Sequence, residues 1–213
     1  MKLFSSLLQL PPSRPKISLD TQLIGPRVLL RMAEAEDWKN WRILRELSED
    51  YLKPWEPKWP RDAFSYGYYC SLLRRQWREW RSGSGYAFLI FTHGGAKPLL
   101  VGGITLGDVV HAAGQKGTIG YWMGKIYAGQ GLMTEAADLV CKFAFAQLRL
   151  ERIEASCLPH NEPSKAVLRR LGFIEEGYAK AYLQINGKRE DHILWGKINP
   201  DLAPHDEETA ALN

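Results

Sequence analysis

Residues 127–148 read YAGQGLMTEAADLVCKFAFAQL, with two glycines, Gly129 and Gly131, standing just before a long apolar-rich segment. Glycine costs chain entropy, so this placement calls for a positive φ or for unusually close approach of another group. The segment that follows is helical by period. Its strongly polar residues are Glu135, Asp138, Lys142 and Arg149, spaced three, four and seven apart. A helix over 131–148 is predicted, with a narrow polar stripe to water and the rest buried. Asp138 and Lys142 add an acid-before-base pair one turn apart.

A helix start leaves backbone N–H groups without partners and carries partial positive charge. Without β-carbons at Gly129 and Gly131, an anion can approach those donors closely. The plainer reading is a tight turn into a core helix, and the two glycines alone do not separate the two. Two nucleotide motifs do drop out. A Walker loop requires Lys and Ser or Thr after its glycines, where this chain has Leu132 and Met133. A dinucleotide fingerprint requires a third glycine where Thr134 stands.

The 213 residues suit one α/β domain. Hydrophobic residues at 45% and charged residues at 24% are ordinary for a water-soluble fold. A net charge of +4 suits anionic ligands without singling one out. Cys70, Cys141 and Cys157 are scattered and odd in number, which favours free thiols in a reducing cytosol over a disulfide framework. No apolar run reaches the length of a membrane span. The opening MKLFSSLLQLPPSRPK reads as a flexible arm, because serines and Gln9 break its apolar stretch. The closing NPDLAPHDEETAALN reads as a tail.

Between these ends the period changes several times. RVLLRM (27–32) reads as a strand, and 33–47 as a helix carrying Trp38, Trp41, Ile43, Leu44 and Leu47. SEDYLKPWEPKWP is a loop too apolar to be a plain linker. Residues 62–81 read as a second helix, with Asp62 as its candidate cap. Strands follow at 86–91, 99–110 and 117–123, then the long helix, then an alternating strand at 152–158. PSKAVLRRL (163–171) is a short helix with Pro163 in its first turn and Gly172 as its stop. Asn186-Gly187 joins the last two strands in a hairpin.

The blocks GYWMGKIYAGQGLMTEA and PHNEPSKAVLRRLGFIEEGY, in this order of elements, resemble the GNAT N-acetyltransferases. YLKPWEP and YAKAYLQINGKREDH are similar to its Rim branch, which acetylates N-terminal α-amines of ribosomal proteins, and within it to the ribosomal-protein alanine acetyltransferases. The resemblance spans 24–198. It implies an α/β (α+β) fold with a single mixed, largely antiparallel sheet of about seven strands. Helices lie on both faces, and a splayed parallel pair stands in the middle. The implied division is an arm over 1–22, an acetyltransferase domain over 23–198 and a tail over 199–213.

By this resemblance the glycine loop holds the diphosphate of acetyl-CoA, with Gly129, Gln130, Gly131, Leu132, Met133 and Thr134 as the cradle and Lys125 adding charge nearby. Ile126 stands where the family has Arg or Gln, so one side-chain contact is missing. Backbone groups of Trp122 and Met123 pair with the pantetheine arm between the splayed strands. Asn161 and Ser164 fill the family's N-x-x-S positions, where helix capping is the alternative role and Asn161 can serve both.

Direct attack of an amine on a thioester requires no Ser-His-Asp or Cys-His set, and none is evident. No metal motif occurs, so no metal is expected. The tyrosine that many relatives use as final acid is missing between Asn161 and Leu171, which leaves Ser164 as hydrogen-bond donor to the sulfur. Glu56 and Asp191 are the candidate bases, working through water. His192 reads as a packing or hydrogen-bonding residue. Trp55, Trp59 and Tyr121 are candidates for walls of the acceptor slot. The expected acceptor is the N-terminal α-amine of a ribosomal protein. A free amino acid, polyamine or aminoglycoside is the alternative, and a CoA-binding module without turnover the third reading. A cytoplasmic monomer or homodimer is expected, with no membrane and no sequence-specific nucleic acid.

Overall fold

Tyr86–Thr92 (β3) is buried at almost every position, as a strand with helices on both sides must be. In the computed structural model, which describes residues 15–93, 95, 97–111 and 113–202, this strand lies near the middle of one half of a single sheet. The other strands are β1 (Gln22–Ile24), β2 (Val28–Arg31), β4 (Leu99–Val110), β5 (Lys116–Met123), β6 (Arg152–Cys157), β7 (Ile174–Ile185) and β8 (Lys188–Ile198). Their order is β1-β2-β3-β4-β5-β6-β8-β7, eight strands among the described residues, one more than the sequence reading counted. The addition is β1, three residues long and paired antiparallel to β2. Three residues are too few for a period to register.

Among the described residues five helices cover the sheet: α1 (Trp38–Leu47), α2 (Glu49–Leu52), α3 (Tyr66–Ser82), α4 (Leu132–Ala146) and α5 (Glu162–Arg170). The larger core gathers Phe88, Ile90, Ile119, Ile153 and Trp195 under Val140, Phe143 and Leu168 of α4 and α5. Each such side chain contributes about 1.5–3 kcal/mol of burial. On the opposite face Trp41, Leu44 and Tyr69 of α1 and α3 pack on Leu89, Phe91 and Leu100. The alternation of β3 feeds both cores, which fixes its register.

Several boundaries differ from the sequence reading for local reasons. Ser65, not Asp62, caps α3, its hydroxyl accepting from Tyr68 N at 3.1 Å. The loop after α1 is partly helical, holding α2 and a 3-10 turn over Lys53–Trp55. Glu135 does not belong to a water-facing stripe, because its side chain is largely covered and pairs with Arg27. Asp138 and Lys142 do pair, at 2.7 Å. Asn186 (φ 45) and Gly187 (φ 86) form the expected β7–β8 turn. The end of the arm touches the body, with Trp80 Nε1 donating to the Ile17 and Ser18 carbonyls. Residues 1–14 of the arm and 203–213 of the tail lie outside the described residues.

Candidate active site

β5 and β6 are the parallel pair, but they pair only at Lys116↔Arg152, Gly117↔Ile153 and Thr118↔Glu154. Past Thr118 each follows its other neighbour, β5 to Met123 against β4 and β6 to Cys157 against β8. The β6-facing edge of Tyr121, Trp122 and Met123 is left without a strand partner, so its backbone can pair with an added extended chain.

The glycine loop lies just beyond this open edge. Gly129 and Gly131 have φ of 75° and 77°, a region that L side chains rarely adopt. A Cβ at Gly129 would meet nothing within 4 Å, so the loop faces open space there. Gly131 is the N-cap of α4 and supplies no capping side chain. The first bond into the helix runs from Glu135 N to Gly131 O at 3.2 Å, with the Leu132, Met133 and Thr134 amides ahead of it. This cradle fits a diphosphate.

Contacts that sequence reasoning missed hold the loop on both flanks. Arg27, just before β2, donates from Nη1 to Gln130 O at 3.0 Å and from Nε to Glu135 Oε2 at 2.8 Å. Glu135 Oε1 also accepts from the Arg27 and Val28 amides. Burial alone would raise the Glu135 pKa, but these bonds outweigh it and hold the carboxyl below its ordinary value. On the other flank the buried Ser48 hydroxyl accepts from Lys125 N at 3.0 Å. Leu44 packs so closely on Gly124 that a Cβ there would overlap it. Lys125 and Ile126 are exposed beside the loop.

At the far end of the open edge, Asn161 caps α5, its Oδ1 accepting from Ser164 N at 3.1 Å. Pro163 lies in the first turn, as the sequence suggested. Ser164 Oγ lies 2.9 Å from Tyr121 Oη. Tyr121 packs with the α4–α5 core, whereas its neighbour Trp122 packs with the α1–α3 core. Burial raises the Tyr121 pKa, and the Ser164 bond opposes it more weakly.

The acceptor-side elements also converge. Trp55 lies against His160 of the β6–α5 loop, ring centroids 5.4 Å apart. Asn186 N, at the tip of the β7–β8 hairpin, donates to Glu56 O at 2.9 Å. The loop and the hairpin therefore meet. Both Glu56 carboxylate oxygens are engaged by Arg45, at 2.8 and 2.6 Å, and Trp59 Nε1 adds a bond at 2.7 Å. The Arg45 guanidinium lies 4.3 Å from the Trp59 ring centre and 4.8 Å from that of Trp122. Asp191 is also engaged, by Tyr178 Oη and by Ala181 N, each at 2.7 Å. The Tyr178 bond holds its carboxyl below the usual range. His192 is buried, with Nδ1 3.0 Å from Glu190 O. Among the described residues no group of three or more His, Cys, Asp or Glu could hold a metal ion.

A mixed sheet that opens at one parallel pair, with a glycine cradle at one end of the gap, defines an acetyl-CoA-dependent N-acetyltransferase. The chain belongs to the acetyltransferase (GNAT) domain family, matching it over residues 27–174. It is 32% identical to the [ribosomal protein uS5]-alanine N-acetyltransferase of Escherichia coli over 89% of this chain and 95% of that protein. It is 42% identical to the probable N-acetyltransferase YjcK of Bacillus subtilis over 54% of this chain, spanning 63% of that protein's length. Among solved structures, Mycobacterium smegmatis RimJ in complex with CoA-disulfide superimposes with a TM-score of 0.80 and 32% identity, covering 89% of this chain and 91% of that one. The Rim resemblance read from the sequence is thereby borne out.

Proposed function

We propose that the protein acetylates the N-terminal α-amine of a ribosomal protein, favouring alanine or another small first residue. The carrying observation is the gap between β5 and β6 past Thr118, which joins the glycine cradle to the Ser164 hydroxyl. The activity of the Escherichia coli relative, a [ribosomal protein uS5]-alanine N-acetyltransferase, supports the choice of acceptor. Acetyl-CoA, as co-substrate, supplies the activated acetyl group. In this reading the amides of Gly129 to Thr134 hold the diphosphate, and the Trp122 and Met123 backbone groups and Asn161 hold the pantetheine amides. Ser164 then donates to the sulfur.

The amine enters past Trp55 and the hairpin tip, on the side where Glu56 and Asn186 join. An α-amine has a pKa of about 8 against about 10.4 for lysine, so a useful fraction is already unprotonated near neutrality. That suits a site where Glu56 is committed to Arg45 and Trp59, and Asp191 to Tyr178 and Ala181. Glu56 then serves to fix the wall of the slot, and water takes the proton. The test is thioester consumption against peptides beginning with Ala, Ser or a bulky residue, against lysine-only peptides and against polyamines. Faster turnover of the Ala-initiated peptide is expected. Preference for internal lysine or polyamine would overturn the acceptor assignment and leave the acetyltransferase intact.

A further inference from the structure

Where β5 parts from β6, two hydroxyls from different elements meet. Tyr121 Oη lies 2.9 Å from Ser164 Oγ and 3.4 Å from the Ser164 backbone oxygen, so the bonds of this phenol go to one residue. Because burial raises its pKa, the phenol remains protonated and acts as a standing donor. A serine hydroxyl has one proton and two lone pairs. If Oγ accepts from Tyr121, its own proton is free to point elsewhere.

The surroundings indicate where. Ser164 also reaches the Cys157 thiol, whose pKa burial raises while bonds from the Trp195 indole and the Ser164 hydroxyl lower it. Close by on β8, Trp195 is buried, with its indole N–H directed at the same thiol. Tyr121, Ser164 and Trp195 thus bring three hydrogen-bond donors to one corner beside a sulfur, an arrangement suited to an electron-rich atom.

We propose that Tyr121 is a positioning residue for the leaving sulfur: it donates to Ser164 Oγ and so turns the serine proton onto the thioester sulfur. This rests on the acetyl-transfer reading and on the role given there to Ser164. In the step itself the amine lone pair forms the N–C bond, and the C–S bond breaks with its electron pair kept by sulfur. The surplus proton on nitrogen passes to water. No proton leaves Tyr121. The two hydroxyls act as one polarised chain, strongest once the sulfur carries charge. Tyr121 thereby leaves the acceptor wall, where the sequence reading put it, and joins the thiol end.

The experiment is a double-mutant cycle on the full chain with Tyr121→Phe, Ser164→Ala and the double variant, each checked by thermal melting. Tyr121→Phe is expected to lower kcat about tenfold, the scale of one hydrogen bond to a charged group, with KM for acetyl-CoA little changed. The double variant should be no slower than Ser164→Ala alone, because the phenol works only through the serine. A binding readout accompanies it, comparing CoA with desulfo-CoA by calorimetry across the pH range in which the thiol ionises. In the wild type the preference for CoA should grow as pH rises, and in Tyr121→Phe it should flatten. Fully multiplicative losses, or an effect on KM alone, would overturn the chain while leaving Ser164 in its role. An unchanged rate in Ser164→Ala would instead overturn the underlying assignment of that serine.

Discussion

Replacing Gly131 by valine tests the cradle most directly. Gly131 has φ of 77°, where a β-branched residue is strained. Forcing a non-glycine residue there costs about 1–3 kcal/mol. A Cβ would lie 3.4 Å from Arg27 Nη2, and the valine methyls would reach further, into the guanidinium that holds Gln130 O and Glu135. Against a typical stability of about 5–15 kcal/mol, the domain remains folded. The ligand loses more. If the loop escapes strain by changing conformation, the amides of Leu132 to Thr134 no longer converge. Losing two hydrogen bonds to a charged phosphate, at about 1.5–3 kcal/mol each, weakens binding by about a hundredfold to ten-thousandfold. Calorimetric titration with acetyl-CoA, beside a circular dichroism melt, measures both quantities. Acetyl-pantetheine, which lacks the diphosphate, should remain a poor donor to the same extent in both proteins. Unchanged acetyl-CoA affinity in a folded Gly131→Val protein would refute the argument.

Glu56→Gln should weaken the bidentate pair with Arg45 and raise the peptide KM several-fold with a smaller change in kcat, on the scale of one charged hydrogen bond. A large fall in kcat with a shifted pH–rate profile would instead make Glu56 the base. Glu135→Gln should destabilise the fold by about 1–3 kcal/mol at neutral pH, because the Arg27 guanidinium and two amides lose their anionic partner. The Glu135 pKa is depressed in the folded state, so its stabilisation is present above the ordinary carboxyl pKa and fades as pH falls through the folded value. Urea melts at neutral and acid pH should therefore show a smaller acid loss in the variant than in the wild type. Alkylation followed by mass spectrometry should label Cys70 well before Cys141, which is buried and has its thiol pKa pushed up to about 12.

Much of the fold was legible because its signals are local. The Asn186-Gly187 turn, the Pro163 helix start and the alternation of 152–158 each depend on a few neighbouring residues. The missed pieces are those that tertiary contacts create. β1 exists because Gln22, Leu23 and Ile24 find Arg31, Leu30 and Leu29 beside them. Ser65 outcompetes Asp62 because the chain turns at Pro60 and Ala63 before the helix begins.

The site divides in the same way, and the division has a physical basis. A backbone cradle needs particular glycines at particular spacing, so Gly129 and Gly131 announce it in the sequence. A side-chain lock needs only two residues that meet. Arg27 and Glu135 stand 108 positions apart, and the helical period that placed Glu135 on a polar stripe could not know that β2 would cover it. Tyr121 and Ser164 are separated by 43 positions and lie on a strand and a helix that meet only after the sheet has opened. A search for a tyrosine within the α5 segment fails for this reason, since the phenol enters that space from the strand instead. The hydroxyl that the sequence showed as a lone serine is thus one end of a pair. In the proposed chain the proton at the sulfur is still the serine's, and the phenol arriving from the strand only aims it.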